Sequence, residues 1–454
     1  MRAAQRTLFV AALLTLAPRV SLAQERNERA LEVARTVERV ASTVELWPGF
    51  EPLEIPLAIY DGKDTYLFRH ASPPAGFEPR AGMTGVLVFA GRYPSVVANS
   101  SADIGGTLAA TVMLDRVEPS RSAESLAAMA LHETFHVYQR SHHPRWTANE
   151  ADLFVYPTDD AQLLAQRRLE TEALRRALAA DADGAVRCWA GRSLALRHDR
   201  YAAMGAAFAA YERGTELNEG LATYVELRAL GSAVDIPRRE FAAADVRGRA
   251  YLVGAALGEL LDRFEPGWQA SLGAADGDFL DAALARALGL EHLESCAFAA
   301  ADVAAAEAAA RANVHTLLAQ RSASRERFEK KTGWRIVIEA AAGQPLWPQG
   351  FDPLNVERID GGVLHTRYLR LGNDAGKMEA VDTNEADIEV FTEAAGSHPL
   401  FNGVRRVVLT GMPEPKLDTS NGSVALTAPG LSANFAGAAV ERAADTVTVR
   451  LGVR

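Results

Sequence analysis

The chain has 454 residues, of which 48% are hydrophobic and 23% are charged, and its formal net charge is −10 at pH 7. A chain of this length and apolar content can form two or three domains, whereas its acidic balance argues against nucleic acid or an anionic membrane as the main partner. Cys188 and Cys296 are the only cysteines. In an oxidising compartment they could form one disulfide, and two buried free thiols are the alternative.

The first 23 residues have the form of a secretory signal peptide. Arg2 and Arg6 precede an apolar stretch over 8–17, and the small residues Ser21 and Ala23 predict cleavage after Ala23. Because the apolar stretch is too short to span a bilayer, we expect an exported protein, periplasmic or secreted, with no membrane span after cleavage. The removed segment holds three arginines and no acid, so the formal charge of the mature chain would be −13.

The next part of the chain has one helical pattern and then several extended ones. Residues 24–42 predict an exposed amphipathic helix. Short runs of strand character, separated by Gly and Pro, predict strands at 53–60, 64–70, 84–91 and 106–116. The last strand, near Thr107 to Leu114, is the candidate edge strand, where an extended peptide could bind by backbone hydrogen bonds.

The stretch "LHETFHVYQ" at 131–139 is the first motif that indicates a chemistry. Its surroundings are rich in helix formers and predict one helix from about Ser122 to Arg140. Since residues four apart lie above one another on a helix, His132 and His136 can point at one metal ion. Glu133 lies about 100° further round, where it can reach a metal-bound water. The alternative is a core helix whose histidines are satisfied by hydrogen bonds.

The remaining two thirds of the chain change from helical to extended patterns. Residues 145–214 predict a helical insertion, with long helical patterns at 159–180 and 186–214. Further helices are predicted at about 215–231, 248–264, 277–287 and 299–328. From Trp334 onward, short runs with β-branched residues and turn signals such as "DGG" predict a C-terminal β domain of sandwich type, with no catalytic cluster of its own.

A second motif, "NEGLA" at 218–222, offers a third metal ligand. Catalytic zinc commonly takes three protein ligands and leaves one position for water. The two motifs, "HETFH" and "NEGLA", resemble those of the gluzincin metallopeptidases, in which a Glu from a second helix joins the two histidines. By this resemblance His132, His136 and Glu219 would be the zinc ligands, and Glu133 would be the general base.

The resemblance covers roughly residues 80–270 and concerns the catalytic machinery more than the substrate preference. Glu219 follows His136 by 83 residues, a longer separation than is usual in the aminopeptidase branch, and the G-x-M-E-N motif of that branch is missing before the zinc helix. A Tyr on a later helix stabilises the oxyanion in several related peptidases. Tyr251 is the best candidate here, with core packing as the alternative, and Tyr224 is a lesser one.

Three acids compete for the third ligand position on one predicted helix, namely Glu216, Glu219 and Glu226. Glu216 and Glu219 share a face, and Glu226 returns to that face two turns later. Gly220 and Ala222 favour Glu219, because small residues beside the ligand would let the two zinc-binding helices approach closely.

Other residues near the two motifs could also contribute to the site. His142 or His143 is an alternative third ligand. Thr223 and Glu226, one and two turns beyond Glu219, could orient the imidazoles.

We therefore expect an α+β fold, in which a zincin-like catalytic domain with a mixed N-terminal sheet and a large helical part precedes a C-terminal β domain. The predicted domains are a signal peptide at 1–23, a metallopeptidase domain at 24–330 with the insertion at 145–214, and an accessory domain at 331–454. The predicted function is an exported zinc (Zn2+) peptidase, a hydrolase of peptide or protein substrates. The alternatives are a catalytically idle zincin-like module that binds a peptide or cell-envelope partner, and a zinc hydrolase of a non-peptide amide.

Overall fold

A computed structural model describes residues 22–80, 84–238, 240–272, 278–289, 296–352, 355–383 and 387–452. The fold is α+β, as predicted, with a mixed N-terminal sheet, a central group of helices and β-sheets in the C-terminal part. The chain forms two compact units. The first contains the described residues up to Pro144 together with Val225–Ala233, and the second contains Arg145–Tyr224 and the described residues from Val234 onward. Most of the predicted signal peptide, residues 1–21, lies outside the described residues, and the predicted domain boundaries stay predictions.

The described helices agree with the sequence patterns, with ends that differ by a few residues. They are α1 (Leu22–Thr43), α2 (Ala123–His142), α3 (Glu150–Val155), α4 (Ala161–Leu178), α5 (Asp183–Met204), α6 (Ala206–Thr215), α7 (Leu221–Leu230), α8 (Val246–Phe264), α9 (Leu280–Leu288) and α10 (Ala300–Glu329). A π-helical turn, Glu216–Gly220, connects α6 to α7 without a break. Gly205 separates α5 from α6, because its φ of 98° is outside the helical range. Glycine adopts such a positive φ readily because it has no Cβ. No helix of the described residues is long and apolar enough to cross a membrane.

The described strands form three sheets. They are β1 (Leu57–Tyr60), β2 (Thr65–Phe68), β3 (Glu78–Pro79), β4 (Val86–Phe89), β5 (Ser100–Ile104), β6 (Thr107–Met113), β7 (Trp334–Glu339), β8 (Trp347–Phe351), β9 (Val356–Ile359), β10 (Gly362–His365), β11 (Tyr368–Asn373), β12 (Gly376–Val381), β13 (Val390–Ala394), β14 (Val404–Met412), β15 (Lys416–Asp418), β16 (Ser423–Ala428), β17 (Leu431–Ala436), β18 (Ala439–Ala443) and β19 (Thr446–Arg450).

The sheet of the first unit has the order β3-β4-β2-β1-β6-β5. The β1–β6 pair is parallel and the other pairs are antiparallel. The prediction that the strand near Thr107 to Leu114 is the edge was wrong, because β5 covers its outer side. A hairpin through Gly105 and Gly106, with φ values of 62° and 83°, joins the two strands. The sequence of β5, "SSADI", is too polar to show the alternation of a strand, so only the pairing reveals it.

Helix α2 belongs to the first unit, and its cap and its aromatic contacts fix its rotation about the helix axis. The Ser122 side chain caps its N-terminus by accepting a hydrogen bond from the Ser125 backbone N–H at 3.2 Å. Phe135 is fully buried, with ring centroids 5.4 Å from Trp47 and 5.2 Å from Phe50. This aromatic packing anchors the helix next to its two histidines.

The second unit contains the disulfide and the β-sandwich. Cys188 in α5 and Cys296 form a disulfide, which decides between the two alternatives left open by the sequence. Two sheets of this unit share one hydrophobic core, as predicted for a sandwich. Their strand orders are β18-β19-β7-β14-β13-β10-β9 and β15-β16-β17-β12-β11-β8. Alternation in β7 shows the layering: Ile336 and Ile338 face this core, whereas Val337 packs with Phe328 of α10.

Candidate metal centre

The two histidines of α2 direct their Nε2 atoms at the same point. These atoms are 3.1 Å apart, and the ring planes are nearly perpendicular, at 80°. The Nδ1 atom of His136 lies 2.8 Å from the side-chain oxygen of Gln139, and that of His132 lies 3.2 Å from a carboxylate oxygen of Glu226. An oxygen acceptor at Nδ1 favours the tautomer that is protonated there, so both Nε2 lone pairs face one another. A cation between the two Nε2 atoms would relieve that repulsion.

Glu226 therefore orients His132, as the sequence had suggested. Its carboxylate is in turn 3.6 Å from the guanidinium of Arg121, so the chain of contacts runs from an arginine through a carboxylate to the imidazole. The Thr223 hydroxyl donates to the backbone carbonyl of Glu219 at 2.9 Å. Gln139 was missed in the sequence, although its position three residues after His136 places it on the same helix face.

Glu219 is the third member of the group. Possible ligand atoms of His132, His136 and Glu219 all lie within 4.8 Å of one another. His132 and Glu219 are each only 7% exposed, and His136 is half-buried. Two imidazoles and a carboxylate form a donor set that Zn2+ accepts together with a water molecule. Glu133, directly after His132 on α2, is 9% exposed.

The π turn that carries Glu219 packs closely on α8. A Cβ atom on Gly220 would lie 2.6 Å from the Cα of Gly254, and one on Gly254 would lie 2.7 Å from the carbonyl oxygen of Glu216. Both positions thus require glycine. The sequence predicts that Gly220 admits the histidine helix, whereas the close approach that this glycine permits is to α8. A π turn within an α-helix often marks a functional site, and here it contains the candidate ligand.

Helix α8 also contributes two polar side chains at Glu219. The guanidinium Nη2 of Arg247 donates to the Glu219 carboxylate at 2.6 Å, while Nη1 donates to Glu150. Tyr251 hydrogen-bonds to Glu219, and burial together with this carboxylate raises the pKa of the Tyr251 hydroxyl. Tyr251 is therefore placed beside the candidate ligand. Arg247 was missed, although its spacing of four residues from Tyr251 puts both on one face of a helix.

The other candidates are engaged elsewhere. His142 Nδ1 lies 3.1 Å from the backbone carbonyl of Tyr138, and the two rings stack at 4.3 Å. Tyr224 is buried and donates to Asp262 at 2.7 Å. Glu216 is 1% exposed and lies in an ion pair with an arginine of α5. His143 caps the end of α2, and burial lowers its pKa.

Comparisons with known proteins add no relative. No family model, no curated protein and no solved structure matches this chain. The function of this chain is therefore inferred from the residues of the site.

Proposed function

We propose that this chain is a zinc-dependent hydrolase of peptide bonds, in which His132, His136 and Glu219 hold the metal. The observation that carries the proposal is that possible ligand atoms of His132, His136 and Glu219 all lie within 4.8 Å of one another. Bound zinc would supply a Lewis acid and lower the pKa of its water to about 7. The donor set has the composition of a catalytic site, because three protein ligands leave a position for water.

The Glu133 carboxylate is the proposed general base. It accepts a proton from the attacking water and then passes that proton to the leaving amine. A module that only binds a partner has no need of a base adjacent to two metal ligands, so the presence of Glu133 favours an enzyme over the catalytically idle alternative. The Tyr251 hydroxyl, beside Glu219, is the proposed donor to the oxyanion that forms on the scissile carbonyl.

The remaining polar residues orient these groups. Glu226 and Gln139 fix the imidazole tautomers from opposite ends of the histidine pair. Arg247 holds the Glu219 carboxylate and remains paired with Glu150 at its other amino group. Such outer contacts commonly change metal affinity or activity by about 10- to 100-fold when they are removed.

The proposal is tested by metal analysis and peptide hydrolysis on the same preparations. We expect about one zinc per parental chain and cleavage within a broad peptide library. Glu133→Gln should keep zinc and lose most hydrolysis, because an amide cannot accept the proton. Glu124→Gln is the matched control, since Glu124 also lies on α2 but is 63% exposed, and it should change neither property.

Two outcomes would contradict the proposal. Unchanged zinc content in a His132→Ala, His136→Ala double variant would remove the metal site. Hydrolysis by Glu133→Gln at the parental rate would remove the base. A parental protein that binds zinc but cleaves no peptide would instead support the binding module or a hydrolase of a non-peptide amide.

A further inference from the structure

The second unit buries six charged side chains in one cluster, here called the ion cluster. Its members are Glu170 of α4, Arg197 and Arg200 of α5, Glu212 of α6, Glu216 of the π turn and Arg249 of α8, and each is at most 2% exposed. The ion cluster thus contains three arginines and three glutamates. Burying charges is costly unless each is paired, so a cluster of this size calls for a role beyond packing.

Most of the ion cluster is linked through two carboxylates. Glu170 accepts hydrogen bonds from Arg197 at 2.9 Å, from Arg200 at 2.6 Å and from Arg249 at 2.6 Å. Glu212 accepts from Arg200 and Arg249. Burial would raise the pKa of Glu212, but the Arg200 and Arg249 guanidinium groups lower it to about 2. These contacts join α4, α5, α6 and α8 into one polar core.

The remaining carboxylate, Glu216, connects this core to the π turn. Arg197 donates two parallel hydrogen bonds to it, from Nη1 at 2.8 Å and from Nη2 at 2.7 Å, while its Nε binds Glu170. A planar guanidinium that binds one carboxylate through its two Nη atoms and another through Nε is held in a single orientation. It therefore also fixes the orientation of the carboxylate that it binds with two parallel hydrogen bonds. Glu216 is the first residue of the π turn, three residues before Glu219.

A π turn needs such support, because it holds one residue more than an α turn. If the turn relaxed to a regular α-helix, the residues after it would rotate about the helix axis, relative to Glu216, by up to about 100°. Gly254 holds the backbone of the turn on one side through its close approach to the Glu216 carbonyl. Arg197 holds the Glu216 side chain.

We propose that Arg197 is a positioning residue for the metal centre: by binding Glu216 it maintains the π turn that presents Glu219 to the metal. The inference rests on the proposed zinc site. It assigns to the Arg197–Glu216 pair a role distinct from that of the other side chains in the ion cluster, because Arg197 binds the Glu216 carboxylate directly, whereas the hydrogen bonds of Arg200 and Arg249 run to Glu170 and Glu212.

Two variants of the full mature chain separate positioning from stability. Glu216→Gln and Glu212→Gln each replace one carboxyl group that is 1% exposed and paired with arginine, so both should destabilise the fold. Only Glu216 lies in the π turn. Zinc affinity is measured by competition with a chromophoric chelator, and the visible spectrum of the Co2+-substituted protein reports the coordination.

Glu216→Gln should weaken zinc binding at least tenfold and change the Co2+ spectrum. Glu212→Gln should change affinity less than threefold and leave the spectrum as in the parent. If Glu216→Gln does not fold, Arg197→Lys replaces it, since lysine keeps the charge but cannot form the paired contact, and the same spectral change is expected.

Equal effects of the two glutamate variants, or a parental spectrum in Glu216→Gln or Arg197→Lys, would overturn the inference and leave the ion cluster with a stabilising role alone. A parent that binds no zinc would overturn the proposed function as well. The two failures are distinguishable, because the second is already visible in the unmodified protein.

Discussion

Replacing Glu219 with Gln should weaken zinc binding by about two orders of magnitude while leaving the fold nearly intact. Zinc sites in small peptides bind with roughly 10–16 kcal/mol in total, so one of three protein ligands accounts for about 3–5 kcal/mol. Water can take the position of the lost carboxylate, and a residual loss of about 3 kcal/mol corresponds to roughly 100-fold in affinity. The fold is spared because Arg247, which donates to Glu219 at 2.6 Å, keeps its second partner, Glu150.

The assay is a competition titration with a chromophoric chelator, together with urea unfolding of the metal-free protein. Glu150→Gln is the matched control, because it removes the other carboxylate of Arg247 without removing a candidate ligand. The control should retain zinc affinity within a few-fold. Parental affinity in Glu219→Gln, or an equal loss in both variants, would refute the assignment of Glu219 as a ligand and with it the gluzincin-like donor set.

Further predictions concern the groups around the site and the ion cluster. Tyr251→Phe should lower turnover by roughly 10- to 1,000-fold and zinc affinity by less than about tenfold, because Arg247 still holds the Glu219 carboxylate; a fully active variant would assign Tyr251 to packing. Glu226→Gln should reduce zinc affinity by roughly 10-fold or more, because the amide orients His132 less strongly, and unchanged affinity in the chelator assay would contradict this. Because the pKa of Glu212 is lowered to about 2 in the folded state, its stabilising contribution is complete above the unfolded value near 4.5 and is lost as the pH falls toward 2. Urea unfolding between pH 6 and 2.5 should show a loss of about 3 kcal/mol from this group, which Glu212→Gln should lack.

The sequence by itself determined the parts of the site that depend on local order. Helix formers and the cap at Ser122 specify α2, and a spacing of four residues puts His132 and His136 on one face whatever surrounds them. Glu219 was suggested instead by the resemblance of its motif to that of the gluzincin metallopeptidases. Strand and helix periods likewise predicted the α+β class, because they repeat over short stretches.

Tertiary structure decided which side chains meet across long separations in the chain. No local pattern shows that Arg247 binds Glu219 or that the polar strand β5 becomes the sheet edge. The sequence offers Glu216 as a competitor of Glu219 for the ligand position, yet packing of five helical segments buries it with Arg197. The physical reason is that helix and strand signals depend on near neighbours, whereas charge pairing and edge position depend on how distant elements pack.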